Sequence, residues 1–134
     1  MKTYVFDASA VLAFLEQKPS ARKVNELLKD AMRRRSRILM SAVNYGEVYS
    51  YALREYGAER ARTAIRAVFP LPISVVDATP ERALAAAEVK ARYKLYYADS
   101  FAAALCFEEK GTLVTSDSDF RRLGHGFPAI WLKS

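Results

Sequence analysis

One cysteine and one histidine are all that the 134 residues offer in thiol or imidazole ligands. Cys106 alone cannot form an intramolecular disulfide, and no multi-cysteine zinc site can be assembled. A bound metal would have to rest on oxygen, which points to Mg2+ or Mn2+. Long apolar runs are missing as well. The stretch before Asp7 is too short for a signal peptide, and Phe101 to Phe107 is too short to span a bilayer. The expectation is a soluble, cytoplasmic protein with no membrane partner. No repeat, low-complexity tract or linker breaks the chain, so one domain over 1–134 is expected.

What the chain does contain is apolar material and positive charge. Apolar residues make up 51% of it, enough for a core in a chain able to bury roughly two-thirds of its unfolded surface. The net charge of +6 suits a polyanionic partner without requiring one.

Periodicity predicts alternating strands and helices. Strands are expected at Lys2–Phe6, Arg37–Met40, Ile73–Val76, Thr112–Thr115 and Ala129–Leu132. Helices are expected from Ser9 to Glu16, from a Ser20 cap to about Arg34, over Ala42–Tyr56 closed by Gly57, and over Ala58–Val68. Two more run from Thr79-Pro80 to about Tyr93 and from Tyr97 to Lys110, the latter ending at Gly111. Strands separated by helical stretches mean an α/β fold with a central parallel sheet of four to five strands and helices on both faces.

Open parallel sheets bind ligands beyond the carboxyl ends of their strands, and the acids fall there. Asp7 follows the first strand and Asp117 the fourth, with Asp119 two residues on. Asp99 lies in the first turn of a helix whose Phe101–Phe107 stretch is apolar on every side and so reads as buried. An acid heading such a helix needs compensation for desolvation. Each acid also has a plainer reading: Asp7 can cap a helix, and Asp117 and Asp119 can be loop residues. Glu47 lies opposite the stripe of Tyr45, Val48, Tyr49, Ala52 and Tyr56, so periodicity makes it a solvated glutamate. If the acids converge, two carboxylates about 5 Å apart repel by roughly 3 kcal/mol at an effective dielectric of 20. Protons or divalent cations must then relieve the charge.

Four segments resemble the PIN-domain ribonuclease family, closest to VapC-type toxins of toxin–antitoxin pairs. They are Val5-Phe6-Asp7-Ala8-Ser9-Ala10, Val43-Asn44-Tyr45-Gly46-Glu47-Val48, Tyr97-Ala98-Asp99-Ser100-Phe101-Ala102-Ala103-Ala104 and Thr115-Ser116-Asp117-Ser118-Asp119-Phe120. They occur in the family's order over nearly the whole chain. The resemblance implies a three-layer PIN-like fold and an endoribonuclease whose Asp7, Glu47, Asp99 and Asp117 bind one or two Mg2+ or Mn2+ ions. It further implies Asp119 and Thr115 as auxiliary groups, Ser9 as a hydrogen-bonding support, a homodimer, and a small antitoxin that blocks the pocket.

The remaining features are less specific. Arg33, Arg34, Arg35 and Arg37 form the densest basic run, a solvated helix end or an RNA contact. Tyr96 and Tyr97 can stack on an unpaired base or pack. His125 reads as a loop residue, Trp131 as core, and Cys106 as a packed thiol. The rival to the nuclease reading is a non-catalytic RNA- or partner-binding module. An α/β phosphotransfer domain fits poorly, because Ala8-Ser9 after Asp7 supplies no second acid.

Overall fold

The computed structural model describes residues 1–133. Five strands, β1 (Lys2–Phe6), β2 (Ser36–Ser41), β3 (Ile73–Val76), β4 (Thr112–Thr115) and β5 (Ala129–Trp131), form one sheet in the order β3-β2-β1-β4-β5. Every neighbouring pair is parallel. Among the described residues six α-helices connect them: α1 (Ala8–Leu15), α2 (Ala21–Met32), α3 (Ala42–Tyr56), α4 (Ala58–Val68), α5 (Pro80–Tyr93) and α6 (Tyr97–Glu109). A 3₁₀ helix, Ser118–Leu123, joins β4 to β5.

The central strands are buried on both faces, and their side chains sort by the two-residue period of a strand. Phe6, Ile38, Met40 and Val114 join Val11, Val24, Leu28 and Val48 in one core layer. Val5, Leu39 and Leu113 join Leu95, Ala102, Leu105 and Cys106 in the other. This is the three-layer arrangement expected of parallel strands that read as continuous apolar runs.

Local chemistry sets most helix ends. Thr79 Oγ1 accepts a bond from the Arg82 amide and Pro80 occupies the first turn of α5. Gly57, at φ +85°, ends α3 and starts α4 in a conformation that L side chains rarely adopt. Four details differ from the sequence expectation. Ser20 sits at the cap position of α2 in helical backbone geometry, so its hydroxyl makes no capping bond. Lys110, not Gly111, takes the left-handed turn that ends α6. Gly111 instead sits close to β1, where a Cβ would lie 3.1 Å from Val5 Cγ2. Phe107 is exposed because the buried run of α6 stops at Cys106. Trp131 is half-buried, on an edge strand, with the Arg121 guanidinium 4.2 Å from its ring centre.

Strand order fixes where a site can form. From β1 the chain passes through α1 and α2 to β2 on one side, while β4 lies on the other. The crevice of such a sheet opens at the carboxyl ends of the two strands flanking that reversal, β1 and β4.

Candidate metal centre at the sheet crevice

Asp7 leaves β1 into that crevice. It is buried, at 5% exposure, and both its oxygens are engaged. Oδ1 accepts from the Ser9 hydroxyl at 2.6 Å and the Ala10 amide at 3.1 Å. Oδ2 accepts from the Thr115 hydroxyl at 2.5 Å. Asp7 is thus the cap of α1, buried where β1 ends. Ser9 and Thr115 also brace β4's exit, for Ser9 Oγ accepts from the Ser116 amide at 2.9 Å and Thr115 Oγ1 from the Asp117 amide at 2.9 Å.

Asp117 then caps the 3₁₀ helix, its Oδ1 accepting from the Asp119 amide at 2.9 Å. That tight turn folds Asp119 back beside Asp117. With Asp99 from the first turn of α6 they form a trio, one carboxylate oxygen of each lying within 4.8 Å of the others. At that distance each ionised pair repels by about 3.5 kcal/mol at an effective dielectric of about 20. Asp119, expected only as an auxiliary acid, stands in the tightest group.

Glu47 is half-buried on α3 rather than on a solvated face. The stripe that α3 buries is Asn44, Val48 and Ala52, which puts Glu47 at its flank. Asn44 Nδ2 donates to Glu47 Oε1 at 2.8 Å and to the Ala98 carbonyl at 3.0 Å. Both partners are pure acceptors, which fixes the amide's orientation. Its Oδ1 is left buried without a partner among the described residues. Asn44, fully buried, therefore ties the helix bearing Glu47 to the residue before Asp99. Reading by apolar periodicity missed it because a polar residue occupies the most buried line of the helix. The only signal available was its position three residues ahead of a glutamate.

The charge of these groups is felt in their protonation. Burial, followed by the charges of Asp117, Glu47, Asp7 and Asp119, pushes the Asp99 carboxyl up to about 7. Burial lifts Asp7 to about 6, against the lowering pull of its hydrogen bonds from Ser9, Thr115 and Ala10. No salt bridge among the described residues involves Asp7, Glu47, Asp99, Asp117 or Asp119. Asp99, Asp117 and Asp119 thus gather at the β4 exit, while Asp7 and Glu47 lie outside that trio and act on Asp99 through their charge. Burial and neighbouring charge make ionised Asp99 costly, and a hard divalent cation on these oxygens can relieve that cost.

The other candidates lie elsewhere. Arg33, Arg34 and Arg35 follow α2 and are exposed. Arg37 is the second residue of β2, donating to Thr3 Oγ1 at 2.8 Å and to Glu109 at 3.0 Å. The length of β2, about 17 Å, separates this amino-terminal edge from the acids. His125 is exposed in a loop, and Cys106 is buried with its thiol pushed up by burial.

Residues 4–126 match the PIN domain family, and the chain belongs to it. No curated protein matches the sequence. Solved structures do share the fold at low identity. VapBC2 from Rickettsia felis, bound to a DNA fragment from its promoter, superposes with a TM-score of 0.77 at 15% identity, covering 98% of this chain and 99% of that one. DNA-bound VapBC from Salmonella typhimurium gives 0.74 at 17% identity over 97% and 98%. VapC20 from Mycobacterium tuberculosis, described as a Sarcin-Ricin loop cleaving toxin, gives 0.70 at 15% identity over 92% and 95%. No described helix is long and apolar enough to cross a membrane.

Proposed function

We propose that this chain is a divalent-metal-dependent endoribonuclease, the cytoplasmic toxin of a VapBC-type pair, in which Asp7, Glu47, Asp99 and Asp117 hold one or two Mg2+ or Mn2+ ions. The observation that carries the reading is the meeting of Asp99, Asp117 and Asp119 within 4.8 Å in a PIN-family chain. Such an ion neutralises charge on a phosphodiester and makes water a better nucleophile near neutral pH.

The residues around it have separable tasks. Asp99 and Asp117 present open carboxylate oxygens, and Asp119 enlarges the negative field that draws the cation in. Ser9 and Thr115 hold Asp7 in one orientation, so it need not reorganise when a cation arrives. Asn44 does the same for Glu47. Hydrolysis by this route leaves a 5′-phosphate and a 3′-hydroxyl with no covalent intermediate on the protein.

A small antitoxin and a homodimer belong to the same reading, and the antitoxin is supported by a structure of this fold from Klebsiella pneumoniae described as a toxin–antitoxin complex. An apolar groove of about 500 Å3 between α1, α3 and α4, lined by Leu12, Leu15, Ala52 and Tyr56 among others, has the chemistry to receive an antitoxin helix.

Incubation of the purified protein with cellular RNA and Mn2+ tests the proposal. Fragments bearing 5′-phosphates should form, disappear with chelator, and fall sharply with Asp7→Asn. Undiminished cutting by that variant would refute the acidic mechanism.

A further inference from the structure

The acid cluster holds the bond to be cut but repels the rest of a polyanion. The phosphates beside the scissile one need cations, and the basic run at Arg33–Arg37 is at the wrong edge of the sheet. A second cleft supplies them. It has a volume of about 480 Å3 and is lined by Lys90, Ala91, Lys94, Leu95, Tyr96 and Arg122. Three of these six are cations and none is an acid. Leu95, buried at 2% exposure, is its apolar floor, whereas the Tyr96 ring is 73% exposed.

Two elements carry residues of both this cleft and the acid trio. In a 3₁₀ helix, side chains three residues apart eclipse one another. Asp119 and Arg122 are so spaced on Ser118–Leu123, so Arg122 stands on the same face, roughly 6 Å along the axis. On α6, Tyr96 is the cap residue, one turn before Asp99. Arg122 Nη1 donates to the Lys94 carbonyl at 2.8 Å, locking the 3₁₀ helix to the α5–α6 turn. Among the described residues the guanidinium makes no other hydrogen bond, which leaves its remaining donors for a ligand.

Resting on the nuclease reading, we propose that this cleft is a strand-guiding subsite for single-stranded RNA: Lys90, Lys94 and Arg122 take phosphates adjoining the scissile one, and Tyr96 stacks on an unpaired base. Single-stranded substrate follows from the exposed ring, since a paired base has no free face to offer it. Phosphate contacts position the strand, while stacking is tolerant of sequence.

The test is binding of a fluorescein-labelled single-stranded RNA oligonucleotide to the full chain, by anisotropy across a salt series with chelator present so that no cutting occurs. The triple variant Lys90→Gln, Lys94→Asn, Arg122→Gln should lower the log–log salt slope by about 0.7 for each phosphate no longer neutralised, about 2 in all. Asparagine is chosen at Lys94 because the residue has φ +57°, which asparagine tolerates. Tyr96→Ala removes no capping bond, since that side chain makes none, and should weaken binding about fivefold or more with the salt slope unchanged. Duplex RNA should compete poorly for the wild-type site.

Wild-type affinity and slope in all these variants would overturn the subsite while leaving RNA cleavage intact. If instead wild-type protein binds RNA through the cleft yet never cuts it with Mn2+, the hydrolytic reading fails and the subsite stands. Absence of any RNA binding removes both. A Mn2+-induced rise in melting temperature equal to wild type certifies that the variants are folded. Should the triple variant not fold, Lys90→Gln and Tyr96→Ala singly carry the same test.

Discussion

The two edges of the sheet treat charge in opposite ways. At the amino-terminal edge, Arg37 donates to Thr3 and pairs with Glu109, and Arg33 to Arg35 extend into water. At the carboxyl-terminal edge, carboxylates from distant segments crowd together with no cationic side chain among the described residues paired to them. Hydroxyls and amides fix their positions without neutralising them. The first edge is arranged for stability. The second is arranged against it, and Asp99 and Asp7, pushed up to about 7 and about 6, register the strain.

Substitutions should separate the two edges sharply. The largest effect is expected at the trio. Asp99→Asn should cut RNA cleavage at least about a hundredfold, beyond the cost of losing an outer hydrogen bond to a metal ligand. The same change should raise the melting temperature of the metal-free protein by several degrees, since each kcal/mol of relieved repulsion is worth about 2–8 °C. A variant both more stable and inactive is the signature of charge concentrated for function.

Next comes Asn44→Ala, which frees Glu47 and leaves the Ala98 carbonyl without its donor. Metal affinity by calorimetry should drop about 10–100-fold, with about 1–3 kcal/mol lost in chemical denaturation. The smallest effect belongs to the other edge. Replacing Arg33, Arg34 and Arg35 by glutamine should change stability by about 0.5 kcal/mol or less. It should leave metal affinity untouched. A large loss of metal binding from that triple change would erase the contrast.

The contrast explains what could be read in advance. Alternation along Val5-Phe6 and Leu113-Val114 determines which face of the sheet each side chain enters, so the layered fold and the positions of Asp7 and Asp117 were legible from pattern alone. Glu47 was not, because apolar periodicity points to a helix's apolar side as the buried one, and α3 buries Asn44. Only the family resemblance raised Glu47 to a ligand. The closeness of Asp119 was equally hidden, since it depends on a turn folded around the Asp117 carboxylate. Trp131, expected as core in the last strand, packs against the core only half-buried, because β5 is an edge strand with no further strand beside it among the described residues.

The most direct test is the melting temperature of the purified protein from pH 5 to 8, with chelator or with Mn2+. Asp7 and Asp99 bind protons more tightly folded than unfolded, so the stability they contribute is full below about pH 4 and is lost as pH rises through 6 and 7. Without metal, the contribution of these two acids should therefore make melting fall across that interval, and Mn2+ should restore it most strongly at pH 8. A metal-free profile that stays flat between pH 5 and 8, with no response to Mn2+, would contradict the claim that these carboxylates form one cation-seeking cluster.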